Sequence, residues 1–190
     1  MPDIVPLIKS QHRELEELLE QAEQEGTDTL ALLRQVAAML KPHSEAEESF
    51  VYPRIARLRP EEAEEVHDGA AEHHHADALL DELLAGDPDE AGYDGKLAAL
   101  IGELRHHVEE EESELLPVLS EQATEAEREE LGDRFAAATG VAEVRPSEAA
   151  ATADAEGVTK QELYEKAKKQ DVPGRSSMTK EELAKAVSET

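Results

Sequence analysis

Residues 43–53 read HSEAEESFVYP, and a closely matching segment, HVEEEESELLP, occurs at residues 107–117. In both copies a histidine is followed four residues later by a glutamate, and the same Glu-Ser pair and a proline follow. Residues four positions apart lie on one face of an α-helix. We therefore expect His43 and Glu47 to point the same way, and likewise His107 and Glu111.

A second pair of histidines precedes the two copies. His12 is followed at matched offsets by Leu-Leu-Glu at residues 18–20, and His73 by Leu-Leu-Asp at residues 79–81. Each half of this part of the chain thus has one histidine and then a His-x-x-x-Glu segment. The pattern indicates a helical hairpin that is used twice.

Apolar residues recur at steps of three and four on either side of these positions, which is typical of helices with one buried face. Turn-like segments separate the runs at Gly26, Pro60 and Gly86-Asp87-Pro88. The pattern predicts an all-α protein, an up-down four-helix bundle within residues 1–138. Its helices are expected at 3–24, 28–57, 61–85 and 94–119, with a short fifth helix at 124–138.

Each apolar stripe is interrupted by a histidine, and two stripes also by a glutamate. At about 1.5 Å of rise per residue, antiparallel helices would bring all four histidines to a similar height. A buried carboxylate is costly unless its charge is compensated. Imidazole and carboxylate ligands together suit iron, manganese or zinc. We therefore predict a metal cluster held by His12, His43, Glu47, His73, His107 and Glu111.

The composition of the chain argues against several classes of function. The net charge of -27 predicts a soluble chain that repels nucleic acid and anionic membranes. The absence of cysteine excludes disulfides and thiolate metal sites and fits a cytoplasmic location. No apolar run is long enough to cross a bilayer, and the N-terminal segment does not resemble a signal peptide.

The order His, His-x-x-x-Glu, His, His-x-x-x-Glu resembles the hemerythrin family, specifically its HHE cation-binding type, over about residues 1–138. The resemblance implies two iron ions joined by an oxo or hydroxo bridge. It implies that His12, His43, His73 and His107 are terminal ligands and that Glu47 and Glu111 bridge the irons. A ferritin-like alternative would need Glu-x-x-His motifs facing inward, and those at Glu64 and Glu103 lie off the stripe.

Asp77 stands four residues after His73. In the oxygen-carrying hemerythrins that the chain resembles, this position holds a second histidine. Asp77 is a candidate extra ligand or an acceptor behind the ligands. The resemblance implies reaction with, or binding of, dioxygen, peroxide or nitric oxide, in sensing or stress protection. Two alternatives stay open: a catalase-like enzyme that removes peroxide, and an iron- or redox-responsive regulator.

The last part of the chain differs in character. Residues 139–156 are small, Ala-rich and aperiodic, and predict a flexible linker. Residues 157–190 carry seven basic and six acidic residues and resemble the helix-extended-helix module at the N-terminus of transcription terminator Rho, which is similar to SAP modules. The resemblance implies possible contacts with nucleic acid, the alternative being a protein partner or docking on the bundle. The candidate phosphate contacts are Lys166, Lys168, Lys169, Arg175 and Lys180.

Overall fold

The computed structural model of the chain describes residues 2–24 and 26–140. Its α-helices are α1 (Ile4–Ala22), α2 (Thr29–Ala46), α3 (Tyr52–Leu58), α4 (Ala63–Ala85), α5 (Tyr93–Glu110), α6 (Leu116–Gln122) and α7 (Glu125–Thr139). A short 3-10 turn at Pro60–Glu62 precedes α4. The described residues contain no strand.

The helices begin where side chains can satisfy free backbone N–H groups. Asp3 accepts from the N–H of Val5, and Asp28 accepts from that of Ala31, each at 3.0 Å. Thr124 and Glu127 form a reciprocal capping box at the start of α7. These caps place the helix starts within a few residues of the predicted positions.

Two apolar clusters fill the bundle, one on each side of the histidine layer. The first contains Ile4, Leu7, Ile8, Val51, Tyr52, Ile55, Leu115, Leu116, Leu119 and Phe135. The second contains Leu15, Leu19, Leu33, Val36, Leu40, Leu80, Leu83, Leu97, Leu100 and Leu104. The first cluster combines the start of α1 with the ends of the α2–α3 and α5–α6 segments, as an up-down bundle requires. The predicted all-α fold is confirmed.

The second and fourth long helices were expected to be α-helical throughout, and each instead contains a π-helical turn. The turn at Glu47–Val51 joins α2 to α3, and the turn at Glu111–Leu115 joins α5 to α6. The N–H of Tyr52 bonds to the carbonyl of Glu47, five residues back. Pro53 follows at once. Because a proline ring clashes with the carbonyl four residues before it, a wider turn suits this position.

The π turns change which residues face the core. Phe50 lies three residues after Glu47, a spacing that predicts the same buried face, but it is only half-buried, whereas Val51 and Tyr52 are buried. One extra residue in the turn rotates the rest of the helix relative to an uninterrupted α-helix. The glutamate that opens each turn and the apolar residues that close it consequently face the same interior.

Helix α7 covers one side of the bundle. It packs on α1 and α2, and its Phe135 is fully buried in the first cluster. Gly140, with φ of 73°, ends the helix in the left-handed conformation that glycine adopts readily. The helix reaches Thr139, the first residue of the predicted linker; the rest of that linker from residue 141, and the predicted module at 157–190, lie outside the described residues. Among the helices described, none is long and apolar enough to cross a membrane.

Candidate metal centre

Six ionisable side chains lie in one layer between the two apolar clusters. Each is at most 4% exposed: His12, His43, Glu47, His73, His107 and Glu111. The four segments of the bundle position them, α1 and α4 with one histidine each, and α2 and α5 with a histidine that precedes a π turn. The structure thus brings together all six predicted metal ligands.

All four imidazoles have the same orientation relative to this layer. Nδ1 of His12 lies 3.0 Å from Glu112, and Nδ1 of His73 lies 3.1 Å from Glu48. Nδ1 of His43 lies 2.8 Å from the amide oxygen of Gln11, and Nδ1 of His107 lies 2.9 Å from Glu72. Carboxylate and amide oxygens only accept, so Nδ1 is the donor in each contact. The free Nε2 lone pairs are left facing inward.

The inward-facing atoms lie about as far apart as neighbouring ligands of one metal ion. Nε2 of His43 is 2.9 Å from Oε1 of Glu47, and Nε2 of His12 is 3.2 Å from Oε2 of Glu111. Nε2 of His73 is 3.0 Å from Nε2 of His107. Metal–nitrogen and metal–oxygen bonds of about 2.1 Å place adjacent ligand atoms about 3 Å apart.

Several of these atoms lack the partners that buried polar groups normally have. Both carboxylate oxygens of Glu47 and of Glu111, and Nε2 of His12, have no aligned hydrogen bond within residues 2–24 and 26–140. Their short contacts with one another lack the angles that a hydrogen bond needs. Atoms that converge on a common point without bonding to each other suit a cation at that point, so the residues fit a metal.

The electrostatics of the layer point the same way. Burial opposes a charge on His12, but Glu111 and Glu112 raise its pKa to about 10. Burial also opposes ionisation of Glu47, yet interaction with His43 and His73 holds the pKa of that carboxyl well below its usual value. Burial and the neighbouring His73 lower the pKa of His107. Without a metal, protons on imidazoles would have to compensate the two buried carboxylates.

The six side chains divide into two ligand groups that share one residue. His12, His43, Glu47 and Glu111 offer ligand atoms within 4.8 Å of one another, and so do Glu47, His73 and His107. Nε2 of His73 lies 3.3 Å from Oε2 of Glu47, while His43 faces Oε1 of the same carboxylate. Glu47 therefore lies between two adjacent positions that could each hold an ion.

The family model described as the hemerythrin HHE cation-binding domain matches residues 3–119. The chain belongs to the hemerythrin HHE cation-binding family. The matched range contains the whole histidine layer. No curated protein and no solved structure gave a significant match to the chain.

The other candidate residues of this HHE protein lie outside the histidine layer or outside the described residues. Asp77 is half-buried, and its Oδ1 atom has no hydrogen-bond partner among the described residues. Burial raises the pKa of its carboxyl group. Asp77 belongs to neither inner ligand group. His67, His74, His75 and His106 are exposed, so the Glu-x-x-His motifs of a ferritin-like site do not face inward. The basic candidates from Lys166 to Lys180 lie outside the described residues.

Sequence reasoning did not assign the residues that hold the imidazoles in place. Gln11 and Glu72 directly precede His12 and His73, and they contact the histidine of the following long helix. Glu48 and Glu112 directly follow Glu47 and Glu111. Their repetition at the same offsets was a signal for this role, but an exposed acidic face gives the same residue types.

Tyr52 was also not assigned. Its hydroxyl lies 3.5 Å from Nε2 of His73, and the two rings stack with an interplanar angle of 8°. Burial and the charges of Glu111 and Glu47 raise its pKa well above the usual value for tyrosine. The repeat places Leu116 at the matching position of the other half. The hydroxyl therefore makes the two halves of the centre chemically different.

A small apolar cavity adjoins the layer. Three histidines, five aliphatic residues and two charged residues line it: His12, His43, His107, Leu15, Leu19, Leu40, Leu104, Val108, Glu16 and Arg105. Its interior offers about 20 Å³ to the centre of a water-sized molecule. Since one water needs roughly 10–15 Å³ on this measure, the cavity has room for a single small molecule.

Proposed function

We propose that this chain is a non-haem di-iron protein that binds or reacts with dioxygen, peroxide or nitric oxide. The observation that carries the proposal is the position of Glu47 between the two ligand groups, with four imidazole Nε2 atoms turned toward the same layer. The ligands in this proposal are His12, His43, Glu47, His73, His107 and Glu111. Nitrogen and carboxylate ligands together suit iron in both common oxidation states.

The proposed ligands have separate roles. The four histidines each bind through Nε2 as terminal ligands, held by the acceptors behind Nδ1. Glu47 bridges the two positions. Glu111 would hold the ion at the position of His12 and His43 and is the second candidate bridging carboxylate. Such a pair of irons supplies the redox chemistry toward a small oxidant.

The surroundings favour a small, uncharged ligand. The surface of the cavity beside His12, His43 and His107 is mainly apolar, which favours a diatomic gas or peroxide over a charged molecule, although Glu16 and Arg105 also line it. The Tyr52 hydroxyl can donate a hydrogen bond on the side of His73. Asp77 stands where oxygen-carrying hemerythrins have a further histidine, and this difference favours reaction with oxidants over reversible oxygen carriage, which fits a role in sensing or stress protection.

The first test is iron content and the visible spectrum of the full-length protein grown with sufficient iron. We expect two irons per chain and the absorption of an oxo-bridged di-ferric pair. His73→Ala and Glu47→Ala should each reduce the content to one iron or less. His74→Ala is the matched control, because His74 is the next residue but its side chain is 76% exposed.

Reaction of the loaded protein with each oxidant then distinguishes the activities. Evolution of oxygen from peroxide would establish the catalase-like alternative, whereas a spectral change without turnover would establish binding. A protein that holds no iron, or a single zinc, would contradict the proposal. Equal iron contents in His73→Ala and in the parent would contradict the ligand assignment.

A further inference from the structure

A third cluster of potential ligands lies at the surface beside the inner layer. Its ligand atoms belong to Glu72 on α4 and to His106 and Glu110 on α5, and they lie within 4.8 Å of one another. Nε2 of His106 is 3.3 Å from Oε1 of Glu110 and 4.0 Å from Oε1 of Glu72. Ligands at about 2.1 Å from one cation lie roughly 3–4.2 Å apart, so the spacing fits a single ion.

Glu72 connects this cluster to the inner centre. One of its oxygens, Oε2, accepts from Nδ1 of His107 at 2.9 Å, while Oε1 faces His106 at the surface. Only one side chain therefore separates the outer cluster from a proposed iron ligand. A cation at the outer position would lie on the opposite side of the Glu72 carboxylate from His107.

A narrow cleft runs between α4 and the π turn that follows α5. Glu65, Glu72, Glu110, Glu111 and Glu114 line it. It leaves about 10 Å³ for the centre of a water-sized particle, which is roughly the room that one small ion or water occupies. The cleft therefore reaches from the outer cluster to the buried carboxylate of Glu111.

Among the described residues that line the cleft, His107 is the only basic side chain beside five glutamates. Glu111 is 1% exposed, and neither of its carboxylate oxygens has an aligned hydrogen bond within the described chain. Loss of hydration and the negative charges of Glu114, Asp68 and Glu110 raise the pKa of Glu65. Carboxylates that repel one another around a water-sized cleft attract cations.

The duplicated hairpin offers an internal comparison. Gln11, Pro42 and Ala46 occupy the positions that match Glu72, His106 and Glu110 in the other half. Ile4 and Phe50 replace Glu65 and Glu114. That side is apolar and is covered by α7, with Ile4 fully buried. The inner layer is built from both halves, but the outer cluster and its acidic cleft occur in one half alone of the described bundle.

We propose that Glu72, His106 and Glu110 form an outer binding site for a divalent transition-metal cation, and that the acidic cleft conducts this cation to the inner centre. One imidazole and two carboxylates suit ferrous iron and similar ions. Exposure of the site allows the ion to arrive hydrated and to leave quickly. Cations enter between α4 and α5, whereas the apolar cavity near α1 and α2 admits uncharged ligands. The entry role rests on the proposed inner centre, but the outer site does not.

The outer site can be tested on the full-length protein as purified, with Mn²⁺ as the probe and its electron paramagnetic resonance signal as the readout. Mn²⁺ binds most nitrogen and oxygen sites more weakly than other first-row cations and should not displace inner iron. We expect one Mn²⁺ per parent chain. The double variant His106→Ala/Glu110→Gln should bind it more than about tenfold less tightly with unchanged iron content.

The entry role is tested by the rate at which Co²⁺ enters the metal-free full-length protein, followed by its d–d absorption. The double variant should load about tenfold more slowly, because the outer site no longer captures cations beside the cleft, yet reach the same final inner occupancy. Glu64→Gln/His67→Ala is the matched control, since it removes one exposed glutamate and one exposed histidine from α4. The control should behave like the parent.

The outcomes separate the two sites. Equal Mn²⁺ affinity in the parent and in the double variant would overturn the outer site, and equal Co²⁺ loading rates would overturn the entry role. If the purified protein held no inner metal but Mn²⁺ binding still depended on His106 and Glu110, the outer site would stand and the di-iron proposal would fall.

Discussion

Glu48 lies one residue beyond Glu47, yet it has a different task. Its carboxylate accepts from Nδ1 of His73 at 3.1 Å, so it fixes the ring with Nε2 toward the metal layer. An acceptor of this kind also makes the imidazole a stronger donor to a metal. Three other residues do the same for the remaining histidines: Gln11, Glu72 and Glu112.

Replacement of Glu48 should therefore weaken metal binding without removal of a ligand. We expect Glu48→Ala to lower the affinity for Zn²⁺ or Fe²⁺ by roughly 10–100-fold. Glu48→Gln should have a smaller effect, because its amide oxygen can still accept from Nδ1. Competition with a chromogenic chelator measures both. Glu45→Ala, which removes an exposed carboxylate from the same helix, should match the parent, and parent-like affinity in Glu48→Ala would contradict this role.

For individual residues, the sequence predicts the buried histidines and glutamates better than the residues that accept hydrogen bonds from their imidazole Nδ1 atoms. His12, His43, Glu47 and their counterparts interrupt an apolar stripe, and an interruption that recurs in a duplicated hairpin is a strong signal. Glu48 and Glu72 have no such mark, because a glutamate beside a buried residue is equally typical of a solvated face. Asp77 shows the opposite problem: it lies near the stripe, but it is only half-buried and belongs to neither inner ligand group.

Among the elements, the π turns could not be read from hydrophobic periodicity. An extra residue in a turn shifts the apolar pattern by one position, and at Phe50 and Val51 either phase fits an apolar stripe. The proline at the same place in both copies was the available signal, since it removes one N–H and crowds the preceding turn. The predicted helices nevertheless have nearly correct ends, because caps and turn residues mark them.

Helix α7 depends on one close backbone approach. A Cβ at Gly132 would lie 1.9 Å from the carbonyl oxygen of Pro2, so no larger residue fits unless the helix or the start of the chain moves. Gly102 in α5 is the converse case, because nothing lies within 4 Å of a Cβ there. The available space therefore requires glycine at residue 132 but not at residue 102.

The substitution Gly132→Ala should lower the free energy of unfolding by about 1–3 kcal/mol, the usual cost of an overpacked contact. Gly102→Ala should instead raise it by about 0.5–1 kcal/mol, because alanine favours the helix. Urea denaturation followed by circular dichroism measures both changes. If both variants were equally stabilised, Gly132 of α7 would not pack against the backbone of Pro2 as the structure shows.

Over the whole molecule, two carboxyl side chains are enclosed in a chain whose net charge is already -27. Glu47 and Glu111 are 0% and 1% exposed, and protonated imidazoles are the alternative to a metal as compensation. The layer also separates the two apolar clusters, so all four segments of the bundle meet at it. Ions bound at both ligand groups would together connect all four segments, and their binding free energy would add to the stability of the fold.

Removal of the metal should therefore lower the melting temperature of the full-length protein. An ion present at 100 times its dissociation constant contributes about 2.7 kcal/mol. At roughly 2–4 °C per kcal/mol for a chain of this size, a chelator should lower Tm by about 5–10 °C. Differential scanning calorimetry with and without chelator measures the shift. His107→Ala should show a smaller response to chelator, since the group of Glu47, His73 and His107 is then incomplete while the other ligand group is intact. A parent whose Tm ignores the chelator, although its metal has demonstrably been removed, would mean that the layer is held together by protonated histidines and its metal is not structural.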